Sequence, residues 1–274
     1  MARLWPAGFR LIPLLGAFLA IPAGFAAGRA GLPGFPAAEA PPADAASTIL
    51  VLGFVGGFVR HDEPRHPEVQ LIQHLRQEYG GRVEGRVFEN RRHHDAYRMI
   101  RQHLDTNHDG QLSAEEKQNA RILLFGHSWG ASTVVSLARR LERDGIPVAL
   151  TVQIDSVAKV GQNDSLIPPN VREAANFYQQ GGWLHGRKRI TAADPTRTTI
   201  LGNYRLSYQN HSIDCNGSPW LGRIFTRGHL QIERDPAVWS RIDALIRTQL
   251  PKLTSADLPG QGSGPAGPAE ADLQ

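Results

Sequence analysis

The feature that most restricts the fold of this chain is a Gly-x-Ser-x-Gly pentapeptide at residues 126–130. It follows a continuous apolar run at residues 122–125, which predicts a buried strand, and it precedes a predicted helix at residues 131–143. A serine in so sharp a turn is strained, and glycine neighbours avoid clashes with the adjoining strand and helix. The pattern predicts that Ser128 is a nucleophile at a helix N-terminus, where a developing oxyanion is stabilised.

Strands and helices alternate on both sides of this pentapeptide. Strands are predicted at residues 48–52, 82–88, 122–125, 148–154 and 198–201. Helices are predicted at residues 69–79, 95–104 and 131–143, and again after Asp235, which caps a helix with Pro236 at its first position. This order predicts an α/β fold, a mostly parallel sheet with helices on both faces. In such sheets the active site lies at the carboxyl ends of the strands.

The two ends of the chain have compositions unlike that of a folded domain. Residues 1–26 combine early arginines, a long apolar stretch and small residues at its end, which indicates a signal peptide or a membrane anchor. Residues 27–46 are rich in Ala, Pro and Gly and are expected to be a linker, and residues 254–274 a disordered tail. The folded domain is therefore expected at residues 47–253, in an extracytoplasmic location: periplasmic, secreted or membrane-anchored.

The charge of the chain is evenly distributed. There are 30 Lys and Arg against 26 Asp and Glu, with a formal net charge of +4 and no long basic run, which argues against a nucleic-acid partner. Contact with a membrane is expected only if the N-terminal segment is not cleaved. Cys215 is the only cysteine, so an intramolecular disulfide is impossible.

Three motifs resemble the α/β-hydrolase superfamily, in particular its lipase-like and esterase-like members. They are Leu-Gly-Phe-Val-Gly-Gly at 52–57, the pentapeptide at 126–130, and Gly228-His229 before a capped helix. The chain departs from the family because the strands that usually precede residues 48–52 are missing and because the acid comes one strand early. The resemblance implies a serine hydrolase that cleaves an ester, thioester or amide bond through an acyl-enzyme, without a cofactor for catalysis. A small-molecule or lipid-like ester is the expected substrate.

The family's chain order of nucleophile, acid and base implies the other catalytic residues. Asp155, at the end of the fourth predicted strand, is the expected acid, and Asp194 and Asp214 are alternatives. His229, in a short segment before the last helix, is the expected base, and His211 is its rival. The acid would orient the imidazole and stabilise its cation.

The resemblance also implies an oxyanion hole and a cap. Backbone N–H groups of Phe54, after the first strand, and of Trp129, after the nucleophile, are expected to bind the oxyanion. Residues 162–194 are expected to cover the pocket, with a helix whose Phe177 and Tyr178 line it.

Residues 105–116 match the EF-hand calcium-loop pattern Asp-x-[Asp/Asn]-x-[Asp/Asn]-Gly-x5-Glu at every required position. The expected ligands are Asp105, Asn107, Asp109, the backbone carbonyl of Gln111, Ser113 and Glu116. The exiting helix has room only for residues 114–120, and no second loop is present to pair with this one. We therefore expect one structural Ca²⁺ ion rather than a calcium sensor, which needs paired helices.

Two other functions compete with hydrolysis. The chain could be a non-catalytic, calcium-stabilised binding protein that keeps the fold, or a membrane-anchored surface protein that acts through partners. The presence of serine, aspartate and histidine in the family's order favours the hydrolase.

Overall fold

The structure is a computed structural model that describes residues 48–209, 212–215 and 226–253. The expected signal segment, the linker, the tail and the rival base His211 therefore lie outside the described residues. Within the described part of the chain, no helix has both the length and the apolar character needed to cross a membrane.

Helices and strands alternate through the described residues. In chain order they are β1 Ile49–Val55, α1 Pro67–Tyr79, β2 Val83–Glu89, α2 His93–Leu104, α3 Ala114–Gln118, β3 Ile122–His127, α4 Trp129–Arg143, β4 Val148–Ile154, β5 Leu166–Ile167, β6 Val171–Gln179, β7 Thr191–Ala192, β8 Thr199–Leu206, α5 Arg227–Arg234 and α6 Pro236–Arg247. Asp235 caps α6 by accepting the Ala237 N–H at 2.9 Å, as the sequence predicted.

Six strands form one sheet in the order β2-β1-β3-β4-β6-β8, and every neighbouring pair is parallel. The short strands β5 and β7 form a separate parallel pair. Every residue of β1 and β3 is buried, because both strands lie inside the sheet and helices cover both of its faces. The predicted fold class is confirmed.

The helices form two layers against the sheet. Helices α1 and α6 pack on one face, and α2 and α4 pack on the other. Consecutive strand residues point to opposite faces, so Phe125 contacts the first layer, where Trp239 meets it edge-on, and Leu124 contacts the second. Full burial of such a side chain stabilises the fold by about 1.5 to 3 kcal/mol.

The prediction of a cap helix within residues 162–194 is wrong. Val171–Gln179 forms β6, which lies inside the sheet between β4 and β8. The Phe177 ring is buried against that of Tyr204, with 4.9 Å between ring centroids. Two prolines before this segment resemble a helix start, but pairing on both edges favours the extended form.

Candidate active site

Ser128 occupies the sharp turn between β3 and α4. Its backbone has φ 57° and ψ −122°, a conformation that costs a non-glycine residue about 1 to 3 kcal/mol. The turn is held by the Ser128 N–H, which donates to the Ile154 carbonyl at 2.9 Å. The Ser128 carbonyl in turn accepts from the N–H groups of Ala131 and Val157, at 3.1 and 3.2 Å. Strand β4 and the first turn of α4 therefore impose the strained conformation.

The two glycines of the pentapeptide make this turn possible. A Cβ atom on Gly130 would lie 2.6 Å from the carbonyl carbon of Phe54. A Cβ atom on Gly126 would lie 2.7 Å from the carbonyl carbon of Gly130. Both distances are prohibitive because backbone atoms cannot give way cheaply, which accounts for Gly on either side of Ser128.

His229 and Asp155 lie together at the carboxyl end of the sheet. His229 is in the first turn of α5, where the sequence analysis expected a loop, and Asp155 directly follows β4. The His229 Nδ1 donates to Asp155 Oδ2 at 2.6 Å, and both residues are buried. This bond leaves the other ring nitrogen, Nε2, as the one that can act as a base.

Three further hydrogen bonds hold the Asp155 carboxylate. Its Oδ1 accepts from the backbone N–H groups of Gly186, at 2.7 Å, and Gln179, at 3.2 Å, and its Oδ2 accepts from Gln179 Nε2 at 2.8 Å. Burial alone would raise the pKa of Asp155, but the bonds from His229, Gln179 and Gly186 outweigh burial and lower it. Asp155 is therefore ionised at neutral pH and fixed in position.

The nucleophile and the base are not hydrogen-bonded in this structure. Among the contacts of the described residues, none joins Ser128 Oγ to His229. The His229 ring instead packs against that of His127, the residue before Ser128, with 4.5 Å between ring centroids. In enzymes without substrate such bonds are often long and tighten only when the substrate binds.

A buried cluster of His and Glu side chains lies behind His229. Glu233, one helical turn after His229 on α5, has its Oε1 at 3.6 Å from His127 Nδ1 and at 3.1 Å from His66 Nδ1. Glu68, near the start of α1, is completely buried. Neither oxygen of Glu68 and neither ring nitrogen of His127 has a hydrogen-bond partner among the described residues.

The charges in this cluster follow from burial and proximity. Burial, followed by repulsion from Glu233, raises the pKa of Glu68 to about 8. Burial also opposes ionisation of Glu233, but His127 and His66 outweigh it and lower its pKa to about 2. Burial and the neighbouring His229 lower the pKa of His127 to about 4. At neutral pH Glu233 is therefore the ionised carboxylate of the cluster, next to a neutral His127 and a protonated Glu68. Burial lowers the pKa of His66, but Glu233 outweighs burial and raises it, so Glu233 favours a protonated His66.

The structure corrects the expected oxyanion donor on the first strand. Phe54 lies inside β1, and its carbonyl group faces Gly130, so it does not belong to the loop that follows the strand. Gly56 is the residue next to the nucleophile, because a Cβ atom there would lie 2.9 Å from Ser128 Cβ. Trp129 is the first residue of α4, where backbone N–H groups have no acceptor within the helix.

The alternative acids occupy other environments. Asp194 accepts from the N–H and the hydroxyl of Thr196, at 2.9 and 2.6 Å, and these bonds lower its pKa. Asp214 is exposed. Asp155, and neither of these, is the carboxylate bonded to His229.

The loop at residues 105–116 turns sharply at Gly110, and its carboxylates accept hydrogen bonds from backbone groups. The Gly110 N–H donates to Asp105 at 2.9 Å, and Gly110 has φ 78°. Glu116 accepts from the N–H groups of Ser113 and Thr106, at 2.9 and 2.8 Å, and these bonds, with that from Ser113 first, lower its pKa to about 2. In the described part of the chain, no three His, Cys, Asp or Glu side chains are grouped so as to hold a metal ion. As placed, the loop does not form a coordination shell.

Sequence reasoning missed four residues of this site. Glu233 and His127 carried a usable signal, because the first is four residues after His229 on a helix and the second adjoins Ser128. Gln179 and Gly186 carried none, since they reach Asp155 only through the fold of a segment that was expected to form a cap.

Comparison with known proteins gives only a distant structural likeness. No protein-family model matches the chain, and no curated protein matches its sequence. Among solved structures, the RedJ thioesterase of the prodiginine pathway of Streptomyces coelicolor is similar with a TM-score of 0.41 and 13% identity, over 82% of this chain and 98% of that one. A thermostable esterase from Pseudomonas putida has a TM-score of 0.40 and 12% identity, over 77% of this chain and 78% of that one. An arylesterase has a TM-score of 0.40 and 11% identity, over 75% and 77%. The chemistry of this chain therefore has to be inferred from its own site.

Proposed function

We propose that this protein is a serine hydrolase that cleaves an ester, thioester or amide bond through an acyl-enzyme. The observation that carries the proposal is the 2.6 Å bond between His229 and Asp155, beside a Ser128 held in a strained turn. In this mechanism Ser128 Oγ attacks the carbonyl carbon while His229 accepts its proton. His229 then gives the proton to the leaving group as the scissile bond breaks. In the second half of the reaction His229 accepts a proton from water, the water attacks the acyl-enzyme, and His229 returns the proton to Ser128 Oγ as the acid is released.

Two carboxylates support the cation that forms on His229. Asp155 is hydrogen-bonded to the ring and fixes its orientation. Glu233 lies one helical turn from His229 on α5 and is ionised at neutral pH. Because His127 is neutral, it does not repel the imidazolium.

The oxyanion is assigned to backbone groups at two positions. The Trp129 N–H begins α4, and the helix dipole there favours negative charge. The second donor is assigned to the loop that begins at Gly56 and Gly57, after β1, in place of Phe54. Gly57 has φ 46°, and its carbonyl accepts from Asn90 Nδ2 at 2.5 Å, so this loop is held in a defined conformation.

An ester with an apolar acyl group is the substrate that best fits the surface beside Ser128. Phe58 is 82% exposed and packs edge-on against Trp129, at 5.7 Å between ring centroids. Trp183, between the Asp155 partners Gln179 and Gly186, is 87% exposed. These two exposed aromatic side chains, one against Trp129 and one between the partners of Asp155, support the binding of an apolar group.

The test of the proposed function is Ser128→Ala. The wild type is expected to hydrolyse p-nitrophenyl esters and to react with a fluorophosphonate probe. The variant is expected to lose several orders of magnitude in kcat/KM and all labelling, while its circular dichroism is unchanged. Ser240→Ala is the matched control, because Ser240 is an exposed serine of α6 that lies outside the site. A wild type that neither cleaves esters nor reacts with the probe would refute the proposal.

We further propose that residues 105–116 bind one structural Ca²⁺ ion. Support comes from the complete ligand pattern and from the positive φ of Gly110, which the sharp turn of such a loop needs. To bind the ion, the Glu116 carboxylate has to break its hydrogen bonds with Thr106 and Ser113 and coordinate the ion instead. The ion would then fix the connection between α2 and β3, and hence the strand that leads to Ser128.

We also propose that the protein is exported. The arginines and the apolar stretch within residues 1–26 support this location. Mass spectrometry of the N-terminus in extracytoplasmic and cytoplasmic fractions tests it, and a protein found only in the cytoplasm would refute it.

A further inference from the structure

A pocket with a cationic lining lies along the exposed side of α4, in the helix's second half. Its volume is about 620 Å³, which is within the range of small-molecule sites. It is lined by His93, His94, Ser136, Arg139, Arg140, Arg143, Gly161, Gln162 and Asn163. The helical residues are spaced so that they share one face of α4, and the two histidines begin α2.

The arginines of this pocket contact neutral groups. Arg139 donates to the Leu166 carbonyl at 2.5 Å. Arg140 stacks on the Tyr97 ring at 3.6 Å and donates to His94 Nδ1 at 2.6 Å. Arg143 is exposed. Among the described residues, no carboxylate forms an ion pair with any of the three, so their positive charges lack a fixed counter-charge.

The carboxylates around the pocket are engaged elsewhere. Asp144 accepts the Tyr97 hydroxyl at 2.6 Å, Asp164 pairs with Arg187 at 2.6 Å, and Asp95 pairs with Arg98 at 2.6 Å. Glu142 and Asp164 act on Arg139 only at a distance, and burial outweighs them and lowers its pKa.

The pKa of His93 also indicates an excess of positive charge around this pocket. Burial lowers the pKa of His93, and repulsion from His94, Arg140 and Lys159 lowers it further. The field therefore opposes a further positive charge in the pocket and would be relieved by an anion.

We propose that this pocket binds the phosphate group of a small molecule or a lipid headgroup. Guanidinium groups present paired donors that match the oxygens of a phosphate, and such charge-assisted bonds are short and strong. A single phosphate fills only a small part of 620 Å³, so the ligand carries more than the phosphate alone. The neighbouring polar side chains of Gln162 and Asn163 can serve its uncharged part.

Lys159, whose charge also acts on His93 of the pocket, lies beside Trp129. The Lys159 ammonium lies 5.9 Å from the Trp129 ring and donates to Asn90 Oδ1 at 2.8 Å. Along α4, Ser136 is about 10 Å and Arg140 about 16 Å from Trp129, at 1.5 Å per residue. If Ser128 is the nucleophile, a phosphate-bearing substrate could therefore reach both places. The binding itself does not depend on that function.

The experiment measures binding by the full chain. Inorganic phosphate and glycerol 3-phosphate are titrated by calorimetry, and phosphatidylcholine vesicles with and without phosphatidic acid are tested by co-sedimentation. Saturable binding that weakens with added salt is expected. Arg140→Gln/Arg143→Gln is expected to weaken it about tenfold or more, because the variant loses two guanidinium groups that would pair with the phosphate oxygens.

Two further variants keep the test decisive. Arg143→Gln alone removes an exposed side chain and leaves the Arg140 stack on Tyr97 intact, so a weaker affinity in that variant cannot come from misfolding. Arg65→Gln/Arg241→Gln removes the same charge from exposed positions outside the pocket and is expected to bind as the wild type does. Binding of the soluble phosphates supports a small-molecule ligand, and binding only of phosphatidic acid vesicles supports a headgroup. No binding of either kind, or equal losses in the control and the pocket variants, would overturn the proposal.

Discussion

Replacement of Glu233 by Gln tests the charge arrangement behind His229. The side chain keeps its shape but loses the one negative charge of the buried His and Glu cluster. Glu233 Oε1 is 3.6 Å from His127, whose ring is stacked on that of His229 at 4.5 Å. At a separation of about 7 Å and an effective dielectric constant of about 20, this charge stabilises an imidazolium by about 2 kcal/mol.

The expected result is a slower reaction at neutral pH. Without the charge of Glu233, the imidazolium that forms on His229 during turnover is less stable, so the transition state is higher in free energy. A loss of about 2 kcal/mol corresponds to a fall in kcat/KM of about thirtyfold. The neighbouring His66, whose pKa burial lowers but Glu233 raises overall, offsets part of the charge and reduces the expected fall to about tenfold.

The assay is the measurement of kcat/KM for an activated ester at pH 7. Glu115→Gln, which removes an exposed carboxylate from α3, is the matched control and should react as the wild type does. Glu233→Asp should restore most of the wild-type rate, because it restores the charge. If Glu233→Gln reacts as fast as the wild type while the fold is intact, the electrostatic reasoning is wrong.

Three further variants test other parts of the structure. In the folded state Glu68 keeps its proton up to about pH 8, whereas in the unfolded state it loses the proton above about pH 4.5. The free energy of unfolding therefore falls as the pH rises from about 4.5 to about 8. Glu68→Gln should therefore melt higher than the wild type at pH 8 and no higher at pH 4; an equal difference at both would contradict this. Gly186→Ala places a Cβ atom 2.5 Å from Asp155 Cα. This clash should lower the free energy of unfolding by about 1 to 3 kcal/mol and reduce the activity. An unchanged midpoint in denaturant unfolding would contradict this. Millimolar Ca²⁺ should raise the melting temperature of the wild type by about 5 to 10 °C and that of Glu116→Gln by much less, whereas equal melting with chelator would refute the calcium proposal.

The elements of the fold could be predicted from the sequence where local pattern and tertiary environment agree. The apolar run that became β3 and the stop at Gly145 after α4 are local signals, and both mark the elements they predict. Strand β6 could not be predicted, because its Ala174 and Ala175 favour no strand and only pairing with β4 and β8 makes it one.

In the candidate site, too, the residues in local sequence motifs could be predicted and those brought together by the fold could not. Ser128 is marked by its own pentapeptide, and His229 by its place before the last helix. The donors that fix Asp155 belong to Gln179 and Gly186, which are 24 and 31 positions later in the chain. A local sequence pattern does not predict contacts between residues so far apart. The same limit applies to Glu68, which α1 brings close to Glu233.

The left-handed backbone of Ser128, with φ of 57°, has an evolutionary consequence. Glycine adopts this region without steric cost, so Ser128→Gly relieves strain that the wild type retains. Selection for thermal stability alone would then discard the side chain on which the proposed chemistry depends. Descendants of this chain that have lost activity should drift towards glycine at this position, whereas active ones should keep Ser128 and tolerate a lower melting temperature.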